Sequence, residues 1–376
     1  MGSRQRTVVG ADMTEADALN SPAGRSGADA PSGRTRQDRL EGLVIAIAPE
    51  LAEVHTACGD LLCTFRGRLR RGARPAEPPG ARRPDQRAAR RGGANAATAV
   101  AEPAAATRIA VGDQVLVTPL DAATGVIEEL VLPRRRVLAR GAARDGGQGA
   151  RVMLANLDHA VLVLAVRDPA PHFGLLDRYL ALCEHAGVDI TICLNKVDLG
   201  VPPEVEAEGA VYAGLGYQVL WTSALTGAHM DELRARLGGR VSLLTGPSGV
   251  GKSSQVNALL PEASQRIGAI STATGKGRHT TTGARLLPLP GGGWLADSAG
   301  IRELALWNVP ADELARGFVE LRDVADDCVY EDCAHGPAEE GCALRAALAE
   351  GRITPARFAS FERLLREARG EAGARV

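Results

Sequence analysis

The stretch Val241-Ser-Leu-Leu-Thr-Gly-Pro-Ser-Gly-Val-Gly-Lys-Ser-Ser254 contains a short apolar run, a glycine-rich turn and a helix start. Gly246, Gly251, Lys252 and Ser253 match the phosphate-loop pattern G-x-x-x-x-G-K-[ST]. Glycines let backbone N–H groups surround a phosphate, and the N-terminus of the following helix favours an anion. We therefore predict that this segment binds a nucleotide. The lysine would contact the β- and γ-phosphates, the serine would bind Mg²⁺, and both are predicted to be catalytic. A chance glycine-rich turn is the alternative. The predicted phosphate-binding residues are Gly246, Pro247, Ser248, Gly249, Val250, Gly251, Lys252, Ser253 and Ser254.

Length and composition allow two or three domains in these 376 residues. Hydrophobic residues make up 45% of the chain but aromatic residues only 3%, so the cores must be aliphatic. No apolar run reaches the ~18–20 residues of a membrane span, and the polar N-terminus has no secretory signal. We therefore expect a cytoplasmic protein without a membrane partner. The net charge of −1 by itself indicates no polyanionic partner.

The N-terminal third contains three kinds of segment that differ in composition. Residues 1–40 lack hydrophobic periodicity, which predicts a disordered tail. Five short strand-like runs, at 42–48, 54–58, 61–65, 114–118 and 125–131, predict a small β-barrel. Between the third and fourth runs, residues 66–107 are rich in Arg, Ala, Gly and Pro, which predicts a loop. This basic insertion either contacts RNA or contacts nothing.

The middle of the chain alternates strand and helix patterns. Residues 160–166 form a continuous apolar run, and 175–186 have helical spacing. Further strands are predicted at 189–194, 217–222, 241–244 and 293–297. This alternation predicts a parallel, doubly wound sheet.

Two motifs after predicted strands select guanine. An Asp at the end of Asn195-Lys-Val-Asp198 can accept hydrogen bonds from the N1–H and 2-amino groups of guanine, which adenine lacks on that edge. The asparagine can buttress the base and the phosphate loop, and the lysine stem can cover the purine face. Ser223-Ala224 can offer a backbone N–H to the guanine O6. The predicted guanine-binding residues are Asn195, Lys196, Val197, Asp198, Ser223 and Ala224.

Two further segments complete the nucleotide motifs. Asp297 of Asp297-Ser-Ala-Gly300 would hold Mg²⁺ through water, and the Gly300 N–H would sense the γ-phosphate. In the polar loop 275–282, either Thr281 or Thr282 would cap Mg²⁺.

The residue that follows the Asp297-Ser-Ala-Gly300 motif cannot position a catalytic water. Ile301 follows Gly300, and an aliphatic residue cannot orient water, so unassisted hydrolysis should be slow. His279 either orients the water or only caps the loop or contacts RNA.

Three cysteines and a histidine near the C-terminus have metal-ligand spacing. Cys328, Cys333, His335 and Cys342 form C-x₄-C-x-H-x₆-C, which suits one structural Zn²⁺. Free thiols near a histidine are the alternative. The remaining cysteines lie in apolar surroundings and are predicted core residues: Cys58, Cys63, Cys183 and Cys193.

The order of these motifs is unusual, because N-K-x-D and Ser-Ala precede the phosphate loop. From about Glu41 to about Glu367 the chain resembles the circularly permuted, small-ribosomal-subunit-dependent GTPases of the RsgA/YjeQ family. The resemblance implies an OB-fold, then a permuted GTPase domain, then a helical zinc domain. The chain departs from the family pattern in three places: D-x-P-G is here Asp297-Ser-Ala-Gly300, the Arg-rich insertion after Phe65 is longer than the family needs, and the gap before Cys342 is one residue longer.

The resemblance also implies a function. We expect a GTPase that acts on the late-maturing small ribosomal subunit, contacts its rRNA and leaves on hydrolysis, as a monomer. The predicted domains are a tail at 1–40, the OB-fold at 41–150, the GTPase at 151–307 and the zinc domain at 308–376. A GTP-regulated factor for another RNA, and a non-enzymatic RNA-binding protein with a structural nucleotide, remain alternatives.

Overall fold

Five strands near the N-terminus close into a barrel in this computed structural model, as their spacing predicts. The structure describes residues 39–66, 69, 108–131, 133–140, 151–260, 284–296, 309–337 and 339–371. The strands pair in the order β1-β2-β3-β5-β4. They are β1 (Leu40–Ile47), β2 (Ala52–Thr56), β3 (Gly59–Phe65), β4 (Gln114–Pro119) and β5 (Thr124–Leu130). Alternate side chains, such as Val54, Cys63 and Val117, fill the barrel core because successive residues point to opposite faces.

The N-terminal predictions have mixed outcomes. Leu40, the last residue of the predicted tail, begins β1, and residues 1–38 lie outside the described residues. Most of the basic insertion at 66–107 also lies outside them. Cys58 is exposed in the turn between β2 and β3, so its prediction as a core residue is wrong. Its neighbourhood looks apolar along the chain, but a turn residue points away from the barrel.

A six-stranded sheet forms the centre of the chain, in the order β10-β9-β8-β11-β13-β12. Its strands are β8 (His159–Ala165), β9 (Asp189–Asn195), β10 (Gln218–Thr222), β11 (Val241–Thr245), β12 (Leu286–Pro288) and β13 (Trp294–Ala296). All neighbours run parallel except the edge pair β12–β13. Before this sheet, β6 (Val137–Arg140) pairs with β7 (Arg151–Ala155) in a hairpin that spans the predicted boundary at 150.

Helices cover both faces of the sheet. They are α1 (Phe173–His185), α2 (Pro203–Gly214), α3 (Met230–Leu237) and α4 (Lys252–Leu259). Residues from α1 and α2 pack with Leu162 and Leu164 on one face, while α3 and α4 pack with Val161 and Val163 on the other. Every residue of β8 is therefore buried, which explains its unbroken apolar sequence.

A small helical unit follows the sheet. It contains α5 (Val319–Ala325), α6 (Ala343–Ala349) and α7 (Pro355–Arg369). Its core of Leu321, Leu344 and Phe361 is continuous with Ala181 and Leu182 of α1. No helix in the described part of the chain is long and apolar enough to cross a membrane.

A buried ion triad joins the helical unit to the sheet. Arg357 of α7 contacts the carboxylate of Asp177 on α1 and donates to both oxygens of Glu320 on α5, at 2.6 and 3.0 Å. The guanidinium also lies 4.7 Å from the ring centre of Phe318, and Tyr212 donates to Asp177 at 2.7 Å. Each charge therefore has partners away from water, as buried charges require.

We expect Arg357→Ala to destabilise the protein by about 3–5 kcal/mol, because it leaves two buried carboxylates without their cation. Urea unfolding of the full chain measures this loss. Arg352→Ala is the matched control, since Arg352 pairs with Glu350 at the surface and should contribute less than about 1 kcal/mol. Equal losses in the two variants would contradict the role of the triad.

Candidate nucleotide site and metal cluster

The carboxyl ends of four parallel strands bring three of the predicted nucleotide motifs together. Asn195, the last residue of β9, lies opposite Ala165 of β8 and Thr222 of β10. Strand β11 also runs parallel to β8 and leads directly into the phosphate loop. In open α/β sheets this edge is where ligands bind. The N-K-x-D, Ser-Ala and phosphate-loop motifs, which are dispersed along the sequence, therefore lie at one edge of the sheet.

The phosphate loop requires glycine at three positions. Gly246, Gly249 and Gly251 have φ angles of +150°, +81° and +96°, where L side chains are strained. A Cβ on Gly246 would also collide with the Val163 carbonyl, and one on Gly251 with the amide of Asn195. The loop can therefore pack directly against the ends of β8 and β9 before α4 begins.

Lys252 lies across this loop at the start of α4. Its Nζ donates to the carbonyl of Gly246 at 2.8 Å and also to that of Pro247. Partial burial lowers the pKa of the ammonium. Ser253 and Ser254 are exposed in the first turn of α4, beside the loop. The predicted lysine and serine thus lie together at the positively polarised end of a helix.

Asn195 connects two loops and strand β10 with one buried side chain. Its Nδ2 donates to the carbonyl of Val250 in the phosphate loop at 2.8 Å. Its Oδ1 accepts from the backbone N–H of Ala224 at 3.3 Å and from the hydroxyl of Thr222 at 3.2 Å. Only 2% of the residue is exposed. The asparagine therefore buttresses the phosphate loop as its motif predicts.

Asp198 and Lys196 are positioned by contacts on either side of the asparagine. The hydroxyl of Ser223 donates to Asp198 Oδ1 at 2.5 Å, which orients the exposed carboxylate. Lys196 has a left-handed backbone, with φ +68°, and its Nζ donates to the carbonyl of Asp168. Val197 begins a short 3₁₀ turn, Val197–Leu199, that presents the aspartate beyond the strand end.

Sequence reasoning missed a second layer beneath the site. Thr222 and Gln255 are fully buried and hydrogen-bonded to each other at 3.0 Å. Cys193, correctly predicted as a core residue, also lies 3.0 Å from each of them. A threonine before Ser-Ala and a polar residue at an inward position of α4 are the signals that could have revealed this network.

Several predicted site residues lie outside the described residues. They are His279, Thr281, Thr282, Asp297, Gly300 and Ile301. Their roles remain predictions from the sequence.

The predicted metal ligands converge in the helical unit. The ligand atoms of Cys328, Cys333, His335 and Cys342 all lie within 4.8 Å of one another, so they could hold one metal ion. His335 Nδ1 is 3.7 Å from the sulfur atoms of both Cys328 and Cys342. The longer gap before Cys342 is accommodated by a turn in which Gly341 has φ +72°.

Two arginines hold the loop that carries these ligands. Arg345 donates to the carbonyls of Gly336 and His335 at 2.6 and 3.3 Å, and Arg369 donates to that of Ala334 at 2.7 Å. Burial raises the pKa of the Cys333 thiol to about 11 and lowers that of His335. Metal binding would therefore release a proton from the Cys333 thiol.

Comparison with known proteins identifies the family. The model of the RsgA GTPase family matches residues 131–307. The "Small ribosomal subunit biogenesis GTPase RsgA" of Pseudomonas aeruginosa (strain LESB58) is 49% identical over 259 residues, which are 68% of this chain and 74% of that protein. The chain belongs to the RsgA GTPase family. The resemblance inferred from the motifs is confirmed, and the chain is a GTP-hydrolysing enzyme by membership of this family.

Two crystal structures share the fold of this chain. YjeQ from Thermotoga maritima is 28% identical, with a TM-score of 0.65 over 88% of this chain and 99% of that chain. YloQ, described as a circularly permuted GTPase, is 20% identical, with a TM-score of 0.62 over 91% of this chain and 100% of that chain. The predicted architecture of barrel, permuted GTPase domain and C-terminal helical unit is thereby confirmed.

Proposed function

We propose that this chain binds and hydrolyses GTP at the strand-end site while it acts in late maturation of the small ribosomal subunit. One observation carries the nucleotide assignment: the buried Asn195 amide joins the phosphate loop to the Ser-Ala loop. The name of the Pseudomonas aeruginosa relative supports the ribosomal assignment. The protein would work in the cytoplasm as a monomer, contact rRNA and leave the subunit on hydrolysis.

Within this site each residue has a proposed role. Asp198 accepts the N1–H and 2-amino groups of guanine, while the Lys196 stem covers the base. Lys252 binds the β- and γ-phosphates. The residues that would hold Mg²⁺ are Ser253 and, outside the described residues, Asp297 and either Thr281 or Thr282, with the Gly300 N–H at the γ-phosphate. Bound Mg²⁺ would neutralise the phosphate charge.

Asp198→Asn should weaken GTP binding by about a hundredfold or more, because two hydrogen bonds to a charged group contribute about 1.5–3 kcal/mol each. The same variant should favour xanthosine triphosphate, whose 2-oxo group accepts from the new amide. Titration with both nucleotides measures the change. Asp231→Asn is the control, since Asp231 is exposed on α3 and forms an ion pair with Arg234. Unchanged GTP affinity in Asp198→Asn would refute the guanine assignment.

We further propose that the cysteine-histidine cluster holds one structural zinc ion. Tetrahedral zinc with Zn–S of about 2.3 Å and Zn–N of about 2.0–2.1 Å separates sulfur and nitrogen by about 3.6 Å. The two 3.7 Å separations at His335 agree with that geometry. Four protein ligands leave no open position, so the ion would stabilise the fold and take no part in hydrolysis.

Metal analysis of the purified chain should find one zinc per chain. His335→Ala should lose it and unfold the helical unit, because zinc binding contributes on the order of 10–16 kcal/mol in small zinc domains. GDP binding should persist, since the sheet has its own cores. Cys183→Ala is the control, as this buried thiol lies outside the cluster. A zinc-free protein with an ordered C-terminal unit would contradict the proposal.

Turnover with and without isolated small ribosomal subunits tests the function itself. The free enzyme should be slow, near the about 10⁻⁴–10⁻³ s⁻¹ of unassisted Ras-type enzymes, because Ile301 cannot orient water. Subunits should stimulate it strongly, since supplied catalytic groups raise such rates by about 10³–10⁵. Association should weaken with salt as rRNA counterions are released.

We propose that His279 supplies the water-positioning group in this stimulated state. His279→Ala should then lose stimulation but keep GTP affinity and subunit binding. His229→Ala is the control, because His229 is exposed and lies beside Glu232. Full stimulation of His279→Ala would reassign the histidine to capping or RNA contact. If the wild-type enzyme is not stimulated by small subunits, a factor for another RNA becomes the better account.

A further inference from the structure

Gln255 is a fully buried amide on the face of α4 that packs against the sheet. Its exposed fraction is 0%, and it shares this face with the apolar Leu259 one turn later. Nε2 donates to the hydroxyl of Thr222 and to the sulfur of Cys193, both at 3.0 Å. Oε1 is buried without a hydrogen-bond partner among the described residues. An apolar residue would satisfy this position better, so the amide needs a functional explanation.

Counting protons fixes the direction of the hydrogen bonds in this network. Burial raises the pKa of Cys193 to about 11, so its sulfur carries a proton. The two amide protons of Gln255 go to Cys193 and Thr222, which leaves the thiol proton for the threonine oxygen, 3.0 Å away. The single hydroxyl proton of Thr222 is then available only for Asn195 Oδ1, at 3.2 Å.

Asn195 is thereby oriented from below. With Oδ1 accepting from Thr222 and from the Ala224 N–H, its Nδ2 points to the carbonyl of Val250 in the phosphate loop. If the Gln255 amide were flipped, its NH₂ group would lie where Oε1 now lacks a partner, and both N–H donors would be unsatisfied. Gln255, on the helix that follows the phosphate loop, is therefore linked through Thr222 to Asn195, which supports that loop.

We propose that Gln255 is a positioning residue for guanine-nucleotide binding, which acts through Thr222 on Asn195 at a cost in folding stability. This inference rests on the proposed guanine site. Without the amide, the sulfur of Cys193 loses its donor and can accept the Thr222 proton instead. Asn195 Oδ1 then loses one of its two hydrogen bonds and its orientation becomes less defined.

Opposite effects on binding and stability distinguish this role from a structural one. Gln255→Leu removes a buried oxygen that has no hydrogen-bond partner among the described residues, so folding should be unchanged or more stable. Affinity for GDP should nevertheless fall about three- to tenfold, as expected for the loss of one hydrogen bond. A residue that only filled the core would show no such divergence.

The experiment compares GDP titrations and nucleotide-free urea unfolding in the full-length chain. Thr191→Val is the matched control, since Thr191 is buried on the same strand as Asn195 but bonds His159 at the opposite end, at 2.9 Å. It should lower the urea midpoint and leave GDP affinity unchanged. Adding Gln255→Leu to Thr222→Val should cause no further loss of GDP affinity, because Gln255 acts through Thr222.

Three results would overturn the inference. Wild-type GDP affinity in Gln255→Leu would remove the positioning role while the guanine site stands. Parallel losses of affinity and stability in Gln255→Leu would make the residue structural. A wild-type chain that does not bind GDP at all would overturn the proposed function together with this inference.

Discussion

The proposed nucleotide site depends on satisfying the hydrogen bonds of one buried amide. Asn195 lies where β9 ends, and its polar atoms have no access to water, so each needs a partner within the protein. The partners come from the phosphate loop, the Ser-Ala loop and β10, which must therefore meet within hydrogen-bond distance. This requirement also explains Gly251, because any side chain there would displace the asparagine.

Circular permutation leaves this constraint unchanged. The hydrogen bonds of Asn195 depend on which strands are neighbours, and β10, β9, β8 and β11 are adjacent whatever the order in which the chain visits them. Parallel strands place their carboxyl ends on one edge, so the motifs converge there even though N-K-x-D precedes the phosphate loop. What permutation changes is which elements lie at the ends of the domain and connect it to the barrel and the helical unit.

The parts of this structure that follow from local sequence were predictable, and the parts that depend on distant partners were not. Strands β8 to β11, the glycine turn at Gly246–Gly251 and the metal ligands each have a signature within a few residues. Arg357 and Asp177 are 180 residues apart in the sequence, and Gln255 and Thr222 are 33 residues apart. The tertiary fold decides whether such a polar side chain is buried, so the sequence alone does not distinguish it from a surface residue. The antiparallel edge pair β12–β13 escaped prediction for a related reason, since pairing direction depends on the connection between the strands.

The position of the helical unit has a physical basis in α1. The loop before this helix borders the nucleotide site, because the Asp168 carbonyl accepts from Lys196 and Pro169 packs against the position of Gly249. Further along the same helix, Asp177 contacts Arg357, and Ala181 and Leu182 enter the core of the helical unit. Helix α1 and the loop before it therefore connect the N-K-x-D motif to the unit that carries the metal ligands. The triad is buried and α1 is packed on both sides, so a shared hydrophobic core fixes the helical unit to the rest of the chain. A shift of the loop at Asp168 would therefore have to be accommodated within that core.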